Sequence, residues 1–240
     1  MVVIEMSMFI TGDIHGNYDI RKLNAKNFDA NNLTKDDYLI ICGDFGLVWD
    51  YHGQDDGEKY WLDWLEDKPW TTLFVDGNHE NFDRLNNEFR VEEWHCGKIH
   101  KIRDSIFHLM RGQVFDIEGH TFFTMGGAPS HDIEYRTKGK SWWPEEVPSQ
   151  EERDAAIKKL EEHNWKVDYV ITHDAPSNIA NNILKIIHDY SRDVNEYTDW
   201  LQYINDNLDF KRWFFGHYHL DKNFDDGKYN EMYYNIEWLL

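Results

Sequence analysis

Residues 12–16 have the sequence GDIHG, and this stretch decides which fold and which chemistry the rest of the chain predicts. The apolar run from Met6 to Ile10 precedes it and predicts a buried strand. Side chains that directly follow such a strand face the crevice at the edge of an open α/β sheet, where ligands bind. Asp13 offers a carboxylate oxygen and His15 an imidazole nitrogen, and both groups bind metal ions. By itself the stretch also fits a turn with a capping acid, so its meaning depends on whether the pattern recurs.

The composition is that of an acidic chain. The 240 residues predict a single domain, residues 1–240, that is long enough to bury a core. The formal net charge of −20 at pH 7 disfavours a nucleic-acid partner, because binding to phosphate backbones needs a basic surface. No stretch approaches the roughly 18 apolar residues of a membrane span, no secretion signal is recognisable, and two cysteines give no disulfide framework. We therefore expect a cytoplasmic protein that does not contact a membrane.

Strands that end in glycine and a polar side chain recur along the first third of the chain. Tyr38–Cys42 ends in Gly43-Asp44, and Thr71–Val75 ends in Asp76-Gly77-Asn78-His79. We predict helices at Asp19–Leu23, Glu58–Asp67 and Asn81–Phe89. This alternation predicts parallel βαβ units whose strands end at one edge of a sheet.

The second part of the chain predicts a second sheet. Short antiparallel strands are expected at Ile106–Met110, Val114–Ile117 and Thr121–Met125, followed by further strands at Val167–Ile171, Lys211–Phe215 and Tyr229–Ile236. Helices are expected at Ser149–Asn164, where Ser149 and Glu152 form a capping-box pattern, and at Ile179–His188 and Glu196–Asn207. Residues 126–148 have no clear period, so we predict an irregular loop insertion there.

Five predicted strand ends carry side chains that bind divalent ions. They are Asp13 and His15, Asp44, Asn78 and His79, His173, and His217 and His219. Hard oxygens together with several imidazoles suit two first-row ions such as Mn, Fe or Zn. Asp44 stands alone at its strand end and is the candidate to bridge the two ions. Such a pair of ions clamps a phosphoryl group and activates water, and a neighbouring histidine can protonate the leaving alkoxide.

The five ordered motifs together resemble the calcineurin-like metallophosphoesterase superfamily. They are GDIHG, GDFG, GNHE, THD and GHYH, and they extend from Gly12 to His219. The resemblance implies an α/β fold, a four-layer α-β-β-α sandwich in which helices flank two mixed sheets. It assigns Asp13, His15 and His219 to one metal ion and Asn78, His173 and His217 to the second, with Asp44 bridging both. It gives His79 the role of the acid beside the leaving group.

The implied function is metal-dependent hydrolysis of a phosphate ester, with a metal-bridging hydroxide as the nucleophile. The substrate is a phosphomonoester or a small phosphodiester, and Asn78 and His79 contact its phosphate. A phosphoprotein (Ser/Thr) phosphatase or a nuclease of the same superfamily is the alternative, and a non-catalytic scaffold with this fold is an alternative of another class. Leu47 and Val48 stand where the phosphoprotein phosphatases have an Asp and an Arg, and Asp76 replaces a further Arg. The arginines that bind phosphate in that branch are therefore missing.

The loop at residues 126–148 is the candidate to supply a missing cation. We hypothesise that Arg136, with Lys138 or Lys140, contacts the substrate phosphate and that Trp142 or Trp143 forms a wall of the cleft. The alternative is a solvated loop whose tryptophans pack onto the body of the protein. Asp50 and Glu80 remain candidates to orient His79, while His100 and His108 are expected to lie on the surface or to be hydrogen-bonded structural residues.

Overall fold

Two mixed β-sheets pack face to face in the computed structural model, which describes residues 6–189 and 194–240. In chain order the strands are β1 (Met8–Thr11), β2 (Tyr38–Ile41), β3 (Thr71–Phe74), β4 (Arg90–Trp94), β5 (Gly97–Arg103), β6 (Ile106–Leu109), β7 (Gln113–Ile117), β8 (His120–Met125), β9 (Tyr169–Thr172), β10 (Arg212–Phe215), β11 (Lys222–Phe224), β12 (Tyr229–Glu231) and β13 (Glu237–Trp238). The first sheet has the order β13-β1-β2-β3-β6-β5-β4, and the second has the order β11-β12-β10-β9-β8-β7. Strands β1, β2, β3 and β6 run parallel, as do β8, β9, β10 and β12. Each sheet therefore brings the carboxyl ends of parallel strands to one edge.

Helices cover the outer face of each sheet. They are α1 (Asp56–Glu66), α2 (Phe82–Asn87), α3 (Gln150–Glu162), α4 (Ser177–Ile186) and α5 (Glu196–Asn207), and short 3-10 helices lie at Ile20–Leu23, Ile133–Tyr135, Pro144–Glu146 and Asp225–Gly227. Helices α1 and α2 pack on the first sheet, whereas α3, α4 and α5 pack on the second. This arrangement confirms the predicted α/β fold of two mixed sheets flanked by helices.

The core is layered in the same way. Between the sheets, Ile10 and Leu73 of the first sheet belong to one apolar cluster with Ile171 and Phe214 of the second. Two further clusters lie between each sheet and its helices. The central strands are thus buried on both faces, which is why their sequences are continuous apolar runs rather than alternating ones.

The place of β6 differs from the sequence prediction. We expected its residues to join an antiparallel second sheet, but β6 lies in the first sheet and runs parallel to β3, with Leu73 opposite Phe107. The second sheet begins only with the antiparallel pair β7 and β8. Apolar patterning predicts that a segment is a strand, but it does not say which neighbour that strand pairs with.

The hairpin formed by β4 and β5 was not predicted. Its strands contain Glu92, Glu93 and Lys98 and form the edge of the first sheet, so they show no apolar run. The two-residue turn, His95 and Cys96, has φ angles of +45° and +69°, as in a type I′ turn, but it lacks the Asn or Gly that usually marks such a turn. Neither the strands nor the turn therefore gave a recognisable signal.

The final predicted strand is divided between the two sheets. Residues 229–236 were expected to form one strand, but β12 ends at Glu231 in the second sheet and β13 begins at Glu237 in the first. Between them, Asp221 accepts hydrogen bonds from the backbone N–H groups of Tyr233, Tyr234 and Asn235. These bonds occupy N–H groups that a continuous strand would give to its neighbour.

The predicted loop insertion has little regular structure. All of residues 126–148 are described, and they contain two short 3-10 helices and one isolated bridge between Lys138 and Trp142.

Within the described ranges, no helix combines the length and the apolar character needed to cross a membrane.

Candidate active site

Four of the predicted metal ligands lie together where the two sheets meet. Asp13 follows β1, Asp44 follows β2 and His219 follows β10. With His15, each offers one ligand atom, and these four atoms lie within 4.8 Å of one another. Both carboxylates are buried, whereas His15 and His219 are partly exposed. The group therefore forms a polar cluster that is accessible to solvent on the side of His15 and His219.

The carboxylate of Asp44 lies between this group and a second one. Its Oδ2 is 3.3 Å from Nε2 of His15, and its Oδ1 is 3.2 Å from Nε2 of His173. His173 follows β9, and its ring lies 5.0 Å from the ring of His217, centroid to centroid. Asn78, which follows β3, is buried and donates from Nδ2 to the Oγ of Ser130. The structure thus brings together all seven predicted metal ligands at the adjoining edges of the sheets.

The hydrogen bonds of two histidines leave the nitrogen that faces Asp44 available. Nδ1 of His15 lies 2.9 Å from Oδ2 of Asp19, and Nδ1 of His173 lies 2.8 Å from the carbonyl oxygen of Cys42. Because both of these partners are acceptors, the neutral form of each imidazole carries its proton on Nδ1 and keeps a lone pair on Nε2. Histidines that bind metals are oriented in this way.

Two buried polar atoms at this place lack a hydrogen-bond partner among the described residues. They are Oδ1 of Asn78 and Nε2 of His173. Buried polar atoms are nearly always satisfied, so an unsatisfied pair calls for an additional ligand such as an ion. An oxygen and an imidazole nitrogen are also suitable donors for a first-row divalent ion. The residues present therefore fit a metal centre.

The electrostatics of the cluster favour positive charge. Burial by itself would lower the pKa of His15, but the hydrogen bond and the charge of Asp44 raise this pKa to about 9. Burial would likewise lower the pKa of His173, but the charges of Asp44 and Asp13 outweigh this effect and raise the pKa to about 10. Burial would raise the pKa of Asp44, yet the neighbouring histidines His173 and His79 hold it well below its usual range. The carboxylates thus make this pocket attractive to cations.

The backbone at the predicted ligands is strained. Four of them have positive φ angles, namely His15 (+43°), Asp44 (+47°), His217 (+75°) and His219 (+54°). Residues other than glycine rarely adopt this conformation, and such strain concentrates at functional sites. A Cβ atom on Gly216 would lie 2.0 Å from Oδ1 of Asp13. Glycine is therefore required there for the close approach of β10 to the carboxylate.

A family comparison agrees with this geometry. The model of the calcineurin-like phosphoesterase family matches residues 6–221. The chain belongs to this family. The match confirms the resemblance that the five motifs indicated.

Other comparisons add little for this phosphoesterase. No curated protein matches its sequence significantly. Among solved structures, a phosphopantetheinyl hydrolase from Mycobacterium tuberculosis is similar, with 16% sequence identity and a TM-score of 0.47 over 97% of this chain and 89% of the other.

His79 lies beside the ligand cluster. Its backbone N–H donates to Oδ1 of Asp44 at 2.9 Å, and its ring packs against Trp49 at 5.4 Å and against His15 at 5.3 Å between centroids. Within residues 6–189 and 194–240, neither ring nitrogen has a hydrogen-bond partner. Burial, assisted by the positive charges of His15 and Arg136, outweighs the opposing effect of Asp44 and lowers the pKa of His79.

The two acids that were candidates to orient His79 have other partners. Glu80 accepts hydrogen bonds from the backbone N–H groups of Phe45, Gly46 and Gly77, so it ties the loop after β2 to the loop after β3. Asp50 accepts from the backbone N–H of His52. The contact that fixes the ring of His79 is instead the stacked indole of Trp49, which the sequence analysis did not select.

The loop at residues 126–148 brings Arg136 towards the site. Its Nε donates to Asp132 at 2.6 Å and its Nη1 donates to the carbonyl oxygen of Ser141 at 3.2 Å, so the guanidinium is held in place. The positive charge of Arg136 is one of the smaller contributions to the lowered pKa of His79. Trp143 is buried and donates to Asp83 at 2.9 Å, so this tryptophan packs onto the body of the protein.

The sequence analysis did not predict a buried polar network around Asp76, which lies two residues before Asn78. Asp76 accepts two hydrogen bonds from Arg111, at 2.9 Å and 2.5 Å, and lies 3.0 Å from Nε2 of His108. Nδ1 of His108 in turn lies 2.9 Å from Nδ1 of the buried His100. The acid that replaces the arginine of the phosphoprotein phosphatases is thus paired with a cation from β6–β7. The sequence does not show which acid Arg111 meets, so this pair could not be predicted.

A cavity of about 540 Å³ adjoins the cluster. His15, His79 and His219 line it, together with the aromatic rings of Trp49 and Tyr233. Tyr18 stands at its mouth with 81% of its surface exposed. This cavity therefore lies on the histidine side of the ligand cluster.

Proposed function

We propose that this protein is a metal-dependent hydrolase that cleaves a phosphomonoester or a small phosphodiester. The observation that carries the proposal is the carboxylate of Asp44, which lies between Nε2 of His15 and Nε2 of His173. A carboxylate in this position, with imidazoles on both sides, suits a bridge between two ions. Family membership supports the same chemistry, since the matched family consists of phosphoesterases.

The proposed metal ligands form two sets. Asp13, His15, Asp44 and His219 would hold one divalent ion, while Asn78, His173 and His217 would hold the second together with Asp44. When bound, two ions such as Mn, Fe or Zn supply the positive charge that polarises a phosphoryl group and acidifies water. The buried carboxylates and the unsatisfied Oδ1 of Asn78 support this assignment.

His79 is the proposed proton donor to the leaving group. Its ring lines the cavity and is held by Trp49. Protonation of the departing alkoxide by a positioned imidazole typically accelerates such a reaction by about 100-fold or more. Asn78, directly before it, would contact the phosphoryl group, and the guanidinium of Arg136 would offset the negative charge of the ester.

Phosphoprotein dephosphorylation is less well supported. Leu47 and Val48 are buried apolar residues, and Asp76 is paired with Arg111. Neither Val48 nor Asp76 offers the cation that the phosphoprotein phosphatases place at these two positions, and Leu47 stands in place of their acid. A cytoplasmic location and the choice of Mn, Fe or Zn as the bound ions remain predictions.

Turnover of para-nitrophenyl phosphate and of its bis ester with Mn²⁺ tests the proposal. We expect Asp44→Asn and His79→Ala to lower kcat/KM by about 100-fold or more, and Arg136→Ala to lower it by a smaller factor of about 10. His120→Ala is the control, because His120 begins β8, at the sheet edge opposite to the ligands. The mechanism is wrong if both Asp44→Asn and His79→Ala keep more than about a tenth of the activity.

A further inference from the structure

The cavity beside the ligand cluster holds the part of the substrate that leaves. This inference rests on the proposed function, in which His79 protonates the leaving oxygen. Because the ring of His79 lines the cavity, the group attached to that oxygen must extend into this space. Its volume of about 540 Å³ is that of an ordinary small-molecule site. The lining of the cavity therefore selects the leaving group.

The apolar surface of the cavity is aromatic. None of the residues that line it has an aliphatic side chain, and its large carbon surfaces are the rings of Trp49, Tyr233 and Tyr18. Two of these rings are held in fixed orientations, Trp49 at 27° to the plane of His79 and Tyr233 at 25° to the plane of His219. Fixed aromatic faces bind planar rings by stacking. An aliphatic chain would not use this geometry.

The cavity favours an uncharged leaving group over an anionic one. Among residues 6–189 and 194–240, its lining contains no lysine and no arginine, and its one carboxylate, Asp19, already accepts from Nδ1 of His15. A second phosphate or a carboxylate in the leaving group would face this acid in a chain of net charge −20. The amide of Asn17 adds a polar group that can bind hydroxyls. The occupant is thus planar, uncharged and partly polar.

We propose that this cavity binds a nucleoside, so that the preferred substrates are nucleoside esters that carry a single phosphoryl group. The base stacks on the aromatic faces, the sugar lies near Asn17, and the phosphoryl group lies at the ligand cluster. Arg136 is not among the described residues that line the cavity.

A matched pair of esters tests this assignment. Adenosine 5′-monophosphate and ribose 5-phosphate share the same leaving oxygen and differ in the group at C1′, which is adenine in the first and a hydroxyl in the second. Their methyl diesters form a second pair for an enzyme that acts on diesters. We expect kcat/KM for the adenosine compound to be about 10-fold higher or more, since stacking of one base accounts for such a factor. Equal values within both pairs would overturn the inference and leave the proposed function intact.

Loss of all turnover, including that of the bis(para-nitrophenyl) ester, would contradict the proposed function instead. Calorimetric titration of the Mn²⁺-loaded protein with adenosine and with ribose then still tests whether the cavity binds a nucleoside, because neither compound needs to react. Tighter binding of adenosine supports the assignment, and equal binding of the two overturns it.

Tyr18 supplies the variant that separates stacking from general damage. Tyr18→Ala is expected to lower the kcat/KM ratio of the adenosine and ribose esters by roughly 5-fold, and Tyr18→Phe is expected to preserve the ratio because it retains the aromatic face. Tyr203→Ala is the control, since Tyr203 is an exposed tyrosine of α5 that does not line the cavity. A ratio that is the same in Tyr18→Ala and in Tyr203→Ala would contradict a stacking role.

Discussion

Lys22 is a buried cation that joins the first motif to the last part of the chain. Only 1% of it is exposed, and its Nζ donates to the carbonyl oxygens of Gly12, Asp13 and Tyr233. Burial lowers the pKa of Lys22 to about 8, although the charge of Asp13 opposes the shift. The three donors of one ammonium group thus hold the backbone on which a proposed metal ligand is mounted.

Replacing this lysine tests its structural role. Lys22→Met leaves three carbonyl oxygens without their donor, so we expect the free energy of unfolding to fall by about 3 kcal/mol. Urea unfolding in the presence of EDTA measures the change without a contribution from metal. Lys26→Met, at an exposed lysine, is the control. A decrease in the free energy of unfolding below about 0.5 kcal/mol for Lys22→Met would show that the three hydrogen bonds of Lys22 are not needed for stability.

Glu231 is a buried acid whose charge opposes folding. Its Oε1 accepts from the backbone N–H of Leu220, whereas its Oε2 has no partner in the part of the chain that the structure describes. Burial, together with the charges of Asp13 and Asp221, raises the pKa of Glu231 to about 9. The folded protein therefore retains a proton that the unfolded chain releases at about pH 4.5. Folding loses stability as the pH rises from there towards about 9.

Glu231→Gln removes this titration while it keeps an oxygen for Leu220. We expect the Tm of Glu231→Gln minus the Tm of the wild type to increase from about pH 5 to about pH 8. The reason is that keeping Glu231 protonated in the folded wild type costs more free energy as the pH rises. Scanning calorimetry of the metal-free proteins measures both values. Glu151→Gln, at an exposed acid of α3, should follow the wild type at every pH. A constant difference across the range would contradict the assignment of the proton to Glu231.

Among the elements, those that reach the candidate site were the most predictable from sequence. Strands β2 and β10 are apolar runs that end in glycine, because parallel strands buried on both faces need apolar side chains and their ends need room for a ligand. The capping box of α3 also formed as predicted, with Ser149 and Glu152 bonded reciprocally. The pair β4 and β5 was missed because its strands are not apolar runs and its two turn residues are neither Gly nor Asn.

The turn of that hairpin offers a stabilising change. Cys96 is exposed and has a φ of +69°, a conformation that costs a non-glycine residue about 1 kcal/mol. We expect Cys96→Gly to raise the free energy of unfolding by roughly 0.5 kcal/mol, after the greater freedom of glycine in the unfolded chain is subtracted. Denaturant titration measures this. Cys96→Ser, which removes the thiol but keeps the Cβ atom, should be neutral, and an equal gain in both variants would exclude a backbone cause.

On the scale of the whole molecule, the site depends on contacts that connect distant parts of the chain. Asp13 accepts a hydrogen bond from the backbone N–H of His217, which is 204 residues away. The residue types at the strand ends could be predicted from the sequence, because parallel strands end at one edge. The partners of Lys22, Asp76 and Trp49 could not, because they depend on how the two sheets and their loops pack together.

Metal removal tests the molecule as a unit. If two divalent ions bind the folded state and not the unfolded one, Mn²⁺ at about 100 times its dissociation constant adds about 2.7 kcal/mol for each site. We therefore expect a higher Tm in Mn²⁺ than in EDTA, and a smaller difference in Asp13→Asn and Asp44→Asn. His120→Ala should keep the full difference. Identical Tm values for the wild type in Mn²⁺ and EDTA would contradict a metal centre.

The stacking of Trp49 on His79 also gives the protein an optical probe. The two ring centroids are 5.4 Å apart, and at such a distance a protonated imidazole quenches indole emission. The chain contains 11 tryptophans, so the emission that disappears in Trp49→Phe identifies the contribution of this ring. Fluorescence can then follow events at His79 in real time without an added label.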